Sequence, residues 1–203
     1  MKLHKDDILS LEKEYRRHFI NSISGVKTAF LCGTISAVGQ TNLSLVSSVF
    51  HVGANPPLLG MVVRPPLAPR HTLSNIMETG EYNLNILPLS HYKQGHQTAA
   101  RYPKEISEFE AVGLATSFSP HIKAPYVEES SVKLGLHLLR RVDIPENLTV
   151  LIIGEIQEVI IPESLVDHEG HIDFEAVSPA LVAGLDSYFQ ATAVNRLPYP
   201  KVR

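Results

Sequence analysis

The sequence has few of the features that mark disulfide-stabilised, membrane-spanning or nucleic-acid-binding proteins. Its 203 residues include one cysteine and no tryptophan, and a single cysteine excludes an internal disulfide framework. Its apolar runs, such as residues 58–63, are far shorter than the roughly 20 residues that span a bilayer. The formal charge is −3, and no basic run exceeds two residues, so nothing indicates binding to nucleic acid or to an anionic membrane.

The N-terminal segment has no apolar stretch of the kind that a signal peptide requires. We therefore expect a cytoplasmic protein whose partners are small molecules or further copies of the same chain.

Several catalytic motifs are also missing. The chain has neither the glycine-rich dinucleotide motif nor the P-loop motif, and it has no G-x-S-x-G elbow. His168 and His171 are three residues apart rather than four, which favours a polar turn over a zinc site. Cys32 lies in an apolar segment, where a free thiol usually behaves as a small hydrophobic side chain. We predict no metal site and no catalytic cysteine.

The residues that are present indicate a globular β protein. Hydrophobic residues make up 44% and charged residues 19% of the chain, close to the globular average, and the length suits a single domain over residues 1–203. Apolar runs at 26–38 and 43–52 flank Gly39 and Gln40 as in a hairpin. Residues 132–139 alternate and are followed by a turn and a return strand at 148–161. This order predicts an antiparallel β-barrel with helices packed outside it.

Two helices are predicted with some detail. Ile8, Leu11, Tyr15 and Phe19 recur at helical spacing, so an amphipathic helix is expected over about residues 5–20. A second helix is expected to begin at Thr72, a plausible N-cap, and to end at Gly80.

Two polar clusters carry the functional hypothesis. The first offers short side-chain donors for a flat heteroaromatic ring, namely Thr41, Asn42, Ser44, Ser47 and Ser48. On residue types alone, a polar strand edge explains this first cluster better. In the second cluster, Arg64 and Arg70 bracket a proline-rich loop that ends at the predicted helix N-terminus, and this arrangement suits a phosphate dianion. Together the clusters predict a mononucleotide site.

The sequence as a whole resembles the flavin reductase-like, FMN-binding split β-barrel family, including its flavoredoxin-type members. The similarity covers most of the chain and lies in the order and spacing of several segments rather than in one motif. These segments are residues 41–48, 55–58, 70–76, 79–85, 107–109, 113–114, 153–155 and 170–173.

The resemblance implies a mainly β fold with flanking helices, a Greek-key antiparallel split barrel that forms a homodimer. It also implies FMN bound without a covalent link near the subunit interface. The FMN-binding residues that we expect on this basis are Thr41, Asn42, Leu43, Ser44, Ser47, Ser48, Arg64, Arg70, His71, Thr72, Thr98 and Ala99. Many flavin reductases carry an aromatic residue in the first segment, where this chain has Leu43 and Leu45.

The implied activity is hydride transfer from NADH or NADPH to FMN, followed by electron transfer to free flavin, a redox partner protein or another acceptor. The cofactor carries this chemistry, so no catalytic acid or base is assigned. An electron carrier without efficient NAD(P)H oxidation is the alternative. Related split barrels also degrade heme or oxidise pyridoxamine phosphate, and the flavoredoxin-like segments argue by analogy against that interpretation. Asn83 and Asn85 are expected to cap turns or strand ends.

Overall fold

The computed structural model describes residues 1–65 and 71–201. The helices of these residues are α1 (Lys5–Ser10), α2 (Lys13–Ile23), α3 (His71–Thr79), α4 (Tyr92–Gln97), α5 (Glu108–Val112) and α6 (Phe174–Val177), with 3-10 turns at Leu89–His91 and Glu163–Leu165. The strands are β1 (Lys27–Thr28), β2 (Phe30–Ile35), β3 (Thr41–Val46), β4 (Val49–Ala54), β5 (Pro57–Val63), β6 (Glu81–Ile86), β7 (Thr116–Ser117), β8 (Tyr126–Val127), β9 (Lys133–Ile144), β10 (Thr149–Ile160), β11 (Ala180–Ala183) and β12 (Ser187–Gln190).

The main sheet has seven strands in the order β3-β2-β6-β9-β10-β5-β4, and all its pairs are antiparallel. β3 and β4 are therefore at opposite edges, although only Ser47 and Ser48 separate them along the chain. Val46 and Val49 must lie within about 11 Å of each other, so the sheet has to curl until its edges meet. Ser48 Oγ donates to the Val62 carbonyl at 2.7 Å, next to the Val49–Met61 pair, so the chain already follows β5 at Ser48.

The predicted run over residues 43–52 is wrong as one continuous strand. Ser47 and Ser48 leave the ladder on the β2 side, and the chain then joins the opposite edge as β4. The long hairpin predicted near residues 132–161 is present as β9 and β10, which are paired along most of their length.

Alternation along β2 supplies two apolar cores on opposite faces of the sheet. Cys32 lies in the barrel interior with Tyr82 and Ile152, whereas Leu31 packs on the outer face with Phe109 of α5. Each fully buried apolar side chain of this size contributes about 1.5–3 kcal/mol, so both faces stabilise the sheet. The helices on the outer face are consequently fixed to the barrel wall.

The N-terminal segment forms two helices rather than the predicted single helix over residues 5–20. Glu12 causes the break, because its carboxylate accepts from the N–H groups of Glu14 and Tyr15 at 2.8 and 2.9 Å and caps the start of α2. Neither α1 nor α2 contains a buried residue. In the described residues, no helix combines the length and the apolar character needed to cross a membrane.

Helix α3 closes one end of the barrel, where Leu73 and Ile76 pack against the interior core. Its C-terminal end is confirmed, because Gly80 adopts a φ of +74° and donates its N–H to Ile76 at 2.9 Å. The prediction of Thr72 as N-cap is wrong. The helix begins at His71, so Thr72 lies in the first turn and its hydroxyl is directed to β3 instead.

Candidate functional site

An open cleft of about 850 Å³ lies beside edge strand β3. Its walls come from β3 and the two serines after it, the first turn of α3, the loop 98–104, and the end of α2 together with β1 and the β11–β12 turn. The volume is near the upper end of the roughly 300–1,000 Å³ typical of small-molecule sites. The cleft brings together most residues of both predicted clusters.

The residues of β3 and of the first predicted cluster differ in how much of each side chain a ligand could reach. Asn42, Ser44, Ser47 and Ser48 line the cleft. Leu43 is completely buried in the outer core and offers a ligand no side-chain surface.

β3 is also tied to the start of α5, where Glu108 lines the cleft and Thr41 lines a small recess next to it. The Leu43 N–H donates to Glu108 Oε2 at 2.9 Å, and Thr41 Oγ1 lies 2.7 Å from Ser107 Oγ. Thr41 and Leu43 therefore anchor β3 against α5, and cofactor binding by these two residues stays a prediction.

A chain of hydrogen bonds joins β3 to α3 inside the cleft. Asn42 Nδ2 donates to Thr72 Oγ1 at 3.0 Å, and Thr72 Oγ1 donates to Ser44 Oγ at 2.9 Å. Because Ser44 accepts this bond, its own proton is available to another acceptor. The cleft thus presents a hydroxyl group whose oxygen is held by Thr72 and whose proton is available to a ligand.

The α3 end of the cleft suits an anion. Arg64, His71 and Thr72 line it, and the N-terminal amides and dipole of this nine-residue helix favour negative charge. Phosphate binding by these residues stays a prediction. Arg70, which the sequence also assigns to phosphate, lies outside the described residues. Lys104 adds a further cation, since it shares a small recess with His71 and Asn75. Sequence reasoning missed Lys104, because only the path of the loop brings it to α3.

The loop 98–104 forms a wall that runs along the cleft. Thr98 is buried and its hydroxyl donates to the Gly95 carbonyl at 2.8 Å, while Ala99 lines the cleft. At the near end, His96 Nδ1 lies 3.0 Å from the Tyr188 hydroxyl on β12. At the far end, Lys104 reaches the recess beside His71. The loop therefore extends along the cleft as far as the recess beside His71.

Charge in the cleft is mainly positive. Four basic side chains line it, namely Lys27, Arg64, Arg101 and Lys104, against one carboxylate, Glu108, among the described residues. Burial raises the pKa of Glu108, and the bond from the Leu43 N–H and the nearby His71 oppose that increase. Such a balance of charge favours an anionic ligand.

The other candidate groups have structural explanations. Cys32 is completely buried and burial raises the pKa of its thiol, which confirms that it behaves as a small hydrophobic side chain. The turn at 167–171 is also confirmed, because Asp167 Oδ1 accepts from the N–H groups of Glu169 and His171. Asp167, Glu169 and His171 could approach one metal ion, but the guanidinium of Arg196 pairs with both carboxylates.

The family model of the flavin reductase-like domain matches residues 26–176. The match covers most of the chain and all the strands of the barrel, so this protein belongs to the flavin reductase-like family. The resemblance inferred from the sequence is thereby confirmed.

Solved structures show the same fold. A split-barrel protein from Shewanella frigidimarina NCIMB 400, named as a candidate flavin reductase, is 46% identical with a TM-score of 0.94 and covers 98% of this chain and 100% of its own. Nitrilotriacetate monooxygenase component B from Bacillus cereus is 22% identical (TM-score 0.86, coverage 97% and 98%). Flavoredoxin of Desulfovibrio vulgaris (Miyazaki F) is 21% identical (TM-score 0.75, coverage 86% and 91%). The expected split barrel with flanking helices is therefore correct.

Proposed function

We propose that this protein binds FMN without a covalent link in the cleft beside β3 and uses it as an NAD(P)H-dependent oxidoreductase. One observation carries the proposal. The cleft joins the donor-rich face of β3 to the cationic N-terminal end of α3, and a flavin mononucleotide likewise joins a hydrogen-bonding ring to a phosphate. Bound flavin supplies the chemistry by accepting a hydride and passing electrons on.

The residues of this chain fit each part of such a ligand. Ser44 offers the oriented hydroxyl described above. Edge strand β3 offers further backbone amide and carbonyl groups on the side that β2 does not pair, apart from the Leu43 N–H, which donates to Glu108. His71, Thr72 and Lys104 lie where a phosphate would meet the α3 amides. The protein's contribution is thus to bind and orient the flavin and to hold its anionic end.

The first test is an absorbance spectrum of the purified protein, followed by titration with FMN and with riboflavin. FMN should bind at least about tenfold more tightly than riboflavin, since only FMN carries the phosphate that a charge-assisted site recognises. Lys104→Ala should lower the affinity for FMN and leave that for riboflavin unchanged, and Lys104→Arg is the matched control. Equal affinities for the two flavins in the wild type would contradict the phosphate assignment.

Anaerobic addition of NADH and of NADPH then tests the electron donor. Rapid bleaching of the flavin bands by either nucleotide supports the reductase. Bleaching that occurs only with a reduced partner protein would instead support the flavoredoxin-like electron carrier.

We also propose a homodimer with the cofactor near the subunit interface. In its support, α2 leaves Tyr15 and Ile23 exposed at 49% and 66%, while Ile20 of the same helix lines the cleft. Size-exclusion chromatography with light scattering should give twice the chain mass of 22.4 kDa. A monomer that retains FMN would contradict the interfacial position of the site.

A further inference from the structure

Three elements next to the cleft meet at one buried hydroxyl group, that of Thr34 on β2. Thr34 is completely buried and pairs with Asn42 of β3 in the ladder. Asn42 Nδ2 donates to Thr34 Oγ1 at 3.3 Å, and Asn75 Nδ2 of α3 donates to the same oxygen at 3.1 Å. The two asparagines are only 6% and 3% exposed. We call these three residues the Thr34 node, and it links β2, β3 and α3.

The two asparagines of the node lie next to different parts of the cleft. Asn42 also donates to Thr72 Oγ1, the group whose hydroxyl holds Ser44. Asn75 lies one helical turn after His71, so the two side chains share a face of α3, and both line the small recess beside the cleft. The node therefore connects the donor-bearing face of β3 with the cationic first turn of α3.

Apolar packing alone does not fix the position of α3 as closely. Leu73 and Ile76 hold the helix against the interior core, but apolar contacts are non-directional and tolerate small shifts. Hydrogen bonds require a defined distance and angle. Because β2 lies between β3 and β6 within the sheet, the oxygen of Thr34 is a firm point to which both neighbours are bonded. The node thus sets the distance between β3 and the start of α3.

We infer that Thr34 is a positioning residue that makes the site prefer FMN over riboflavin, because it fixes the spacing between the strand that binds the ring and the helix that binds the phosphate. This inference rests on the proposed function, which assigns the ring to β3 and the phosphate to α3. A ligand with two ends gains affinity from its second contact only where the spacing of the two sites matches, within about 0.5 Å. Since Thr34 is completely buried, it acts through the two asparagines and does not touch the ligand.

The experiment compares the affinities of wild type and Thr34→Val for FMN and for riboflavin, measured by flavin fluorescence. Valine keeps the β-branched shape and removes the oxygen to which both asparagines donate. FMN affinity should fall about tenfold, the loss expected for one or two hydrogen bonds. Riboflavin uses only the ring end, so its affinity should stay within about twofold of wild type. Thr34→Ser keeps the hydroxyl and should retain the preference for FMN.

A double-mutant cycle with Lys104→Ala connects this effect to the phosphate. Once the spacing is lost, Lys104 contributes less to binding, so the FMN affinity lost by the double variant should be at least about threefold smaller than the product of the two single losses. Single losses that simply multiply would overturn the inference. Asn75→Ala removes only the helix side of the node and should lower the preference for FMN in the same way, which keeps the inference testable if Thr34→Val does not fold.

Ser130→Ala is the matched structural control. Ser130 is also buried, and its Oγ lies 2.8 Å from the Ile86 carbonyl and 2.9 Å from the Val132 carbonyl, so this variant loses stability without a change at the node. Its ratio of FMN to riboflavin affinity should equal that of wild type. If Thr34→Val leaves the ratio unchanged, or if Ser130→Ala lowers it as much, the inference is refuted and the proposed function stands. If wild type binds no FMN, or binds both flavins equally, the proposed function fails as well.

Discussion

The polar residues of β6 and those of the cleft are of similar type, yet their surroundings differ. Asn83 and Asn85 are completely buried, and backbone groups together with a bond from Asn85 to Asn83 satisfy them. Asn83 donates to the carbonyls of Ala124 and Pro125 at 2.9 and 2.7 Å and accepts from the Gly33 N–H at 3.2 Å. Asn85 donates to the Leu31 carbonyl and accepts from the Val127 N–H.

In the cleft, Asn42, Thr72 and Ser44 form a chain of side-chain hydrogen bonds, and the Ser44 hydroxyl at its end keeps a donor for a ligand. Residue type alone therefore does not identify a binding site. A buried polar group that is fully bonded within the fold stabilises the fold, whereas a polar group that is oriented but incompletely bonded is able to recognise a ligand.

The strongest test of this difference is Asn83→Ala. The substitution leaves several buried groups without partners, including the Gly33 N–H and the Ala124 and Pro125 carbonyls, and each such group costs about 1–3 kcal/mol. We expect the free energy of unfolding, measured by urea denaturation, to fall by at least about 3 kcal/mol. Asn42→Ala should lower it by about 1 kcal/mol. Equal losses for the two asparagines would remove the distinction between the two regions.

Thr72→Val should lower the free energy of unfolding less than Asn83→Ala does, and its main effect should be on FMN affinity. The methyl group has nearly the same shape as the hydroxyl but neither accepts from Asn42 nor donates to Ser44. FMN affinity, measured by flavin fluorescence, should fall about tenfold, while the free energy of unfolding falls by about 1 kcal/mol. Thr72→Ser keeps the hydroxyl and should bind FMN nearly as wild type does. A Thr72→Val protein with normal FMN affinity would show that the hydrogen-bond chain is only structural.

Glu108 combines a structural bond with a position in the cleft. Its carboxylate accepts from the Leu43 N–H of β3, and it also lines the cleft. Burial raises its pKa, so its contribution to stability is greatest below the ordinary carboxyl pKa and is lost as the pH rises through the raised value. Glu108→Gln keeps an acceptor for the Leu43 N–H without the charge. At pH 8 this variant should melt roughly 2–4 °C above wild type, the shift that about 1 kcal/mol produces at this chain length.

The difference in melting temperature between Glu108→Gln and wild type should disappear as the pH falls toward 4, because Glu108 is then protonated in the wild type and carries no charge in either protein. Glu110 is exposed on the same helix, and Glu110→Gln should show no such pH dependence. A Glu108→Gln variant that melts below wild type at pH 8 would contradict the assigned cost of burying the charge.

Sequence periodicity was sufficient for the barrel, the β9–β10 hairpin and the polar face of β3, because these depend on local alternation and turns. It could not show that β3 and β4 lie at opposite edges, since barrel closure depends on contacts between distant strands. For the same reason Lys27, Lys104 and Glu108 were not predicted as cleft residues.

Asn83 and Asn85 were predicted as caps, which is wrong, because the segment that satisfies them, residues 124–127, is about 40 residues away in sequence. The sequence showed two asparagines in a strand. Only the fold shows which distant groups they satisfy.

Cys32→Ala, a substitution inside the barrel, should have the smallest effect on FMN binding and on flavin reduction. Burial raises the pKa of this thiol, so the nucleophilic thiolate is not formed near neutral pH, and Cys32 packs among apolar side chains rather than facing the cleft. The variant should lose about 1 kcal/mol of stability from the small cavity and retain FMN affinity within about twofold, with an unchanged rate of flavin reduction. Slower reduction of the flavin with FMN still bound would mean that the barrel interior contributes to the chemistry. The distinction between stabilising residues of the interior and ligand-binding residues of the cleft would then fail.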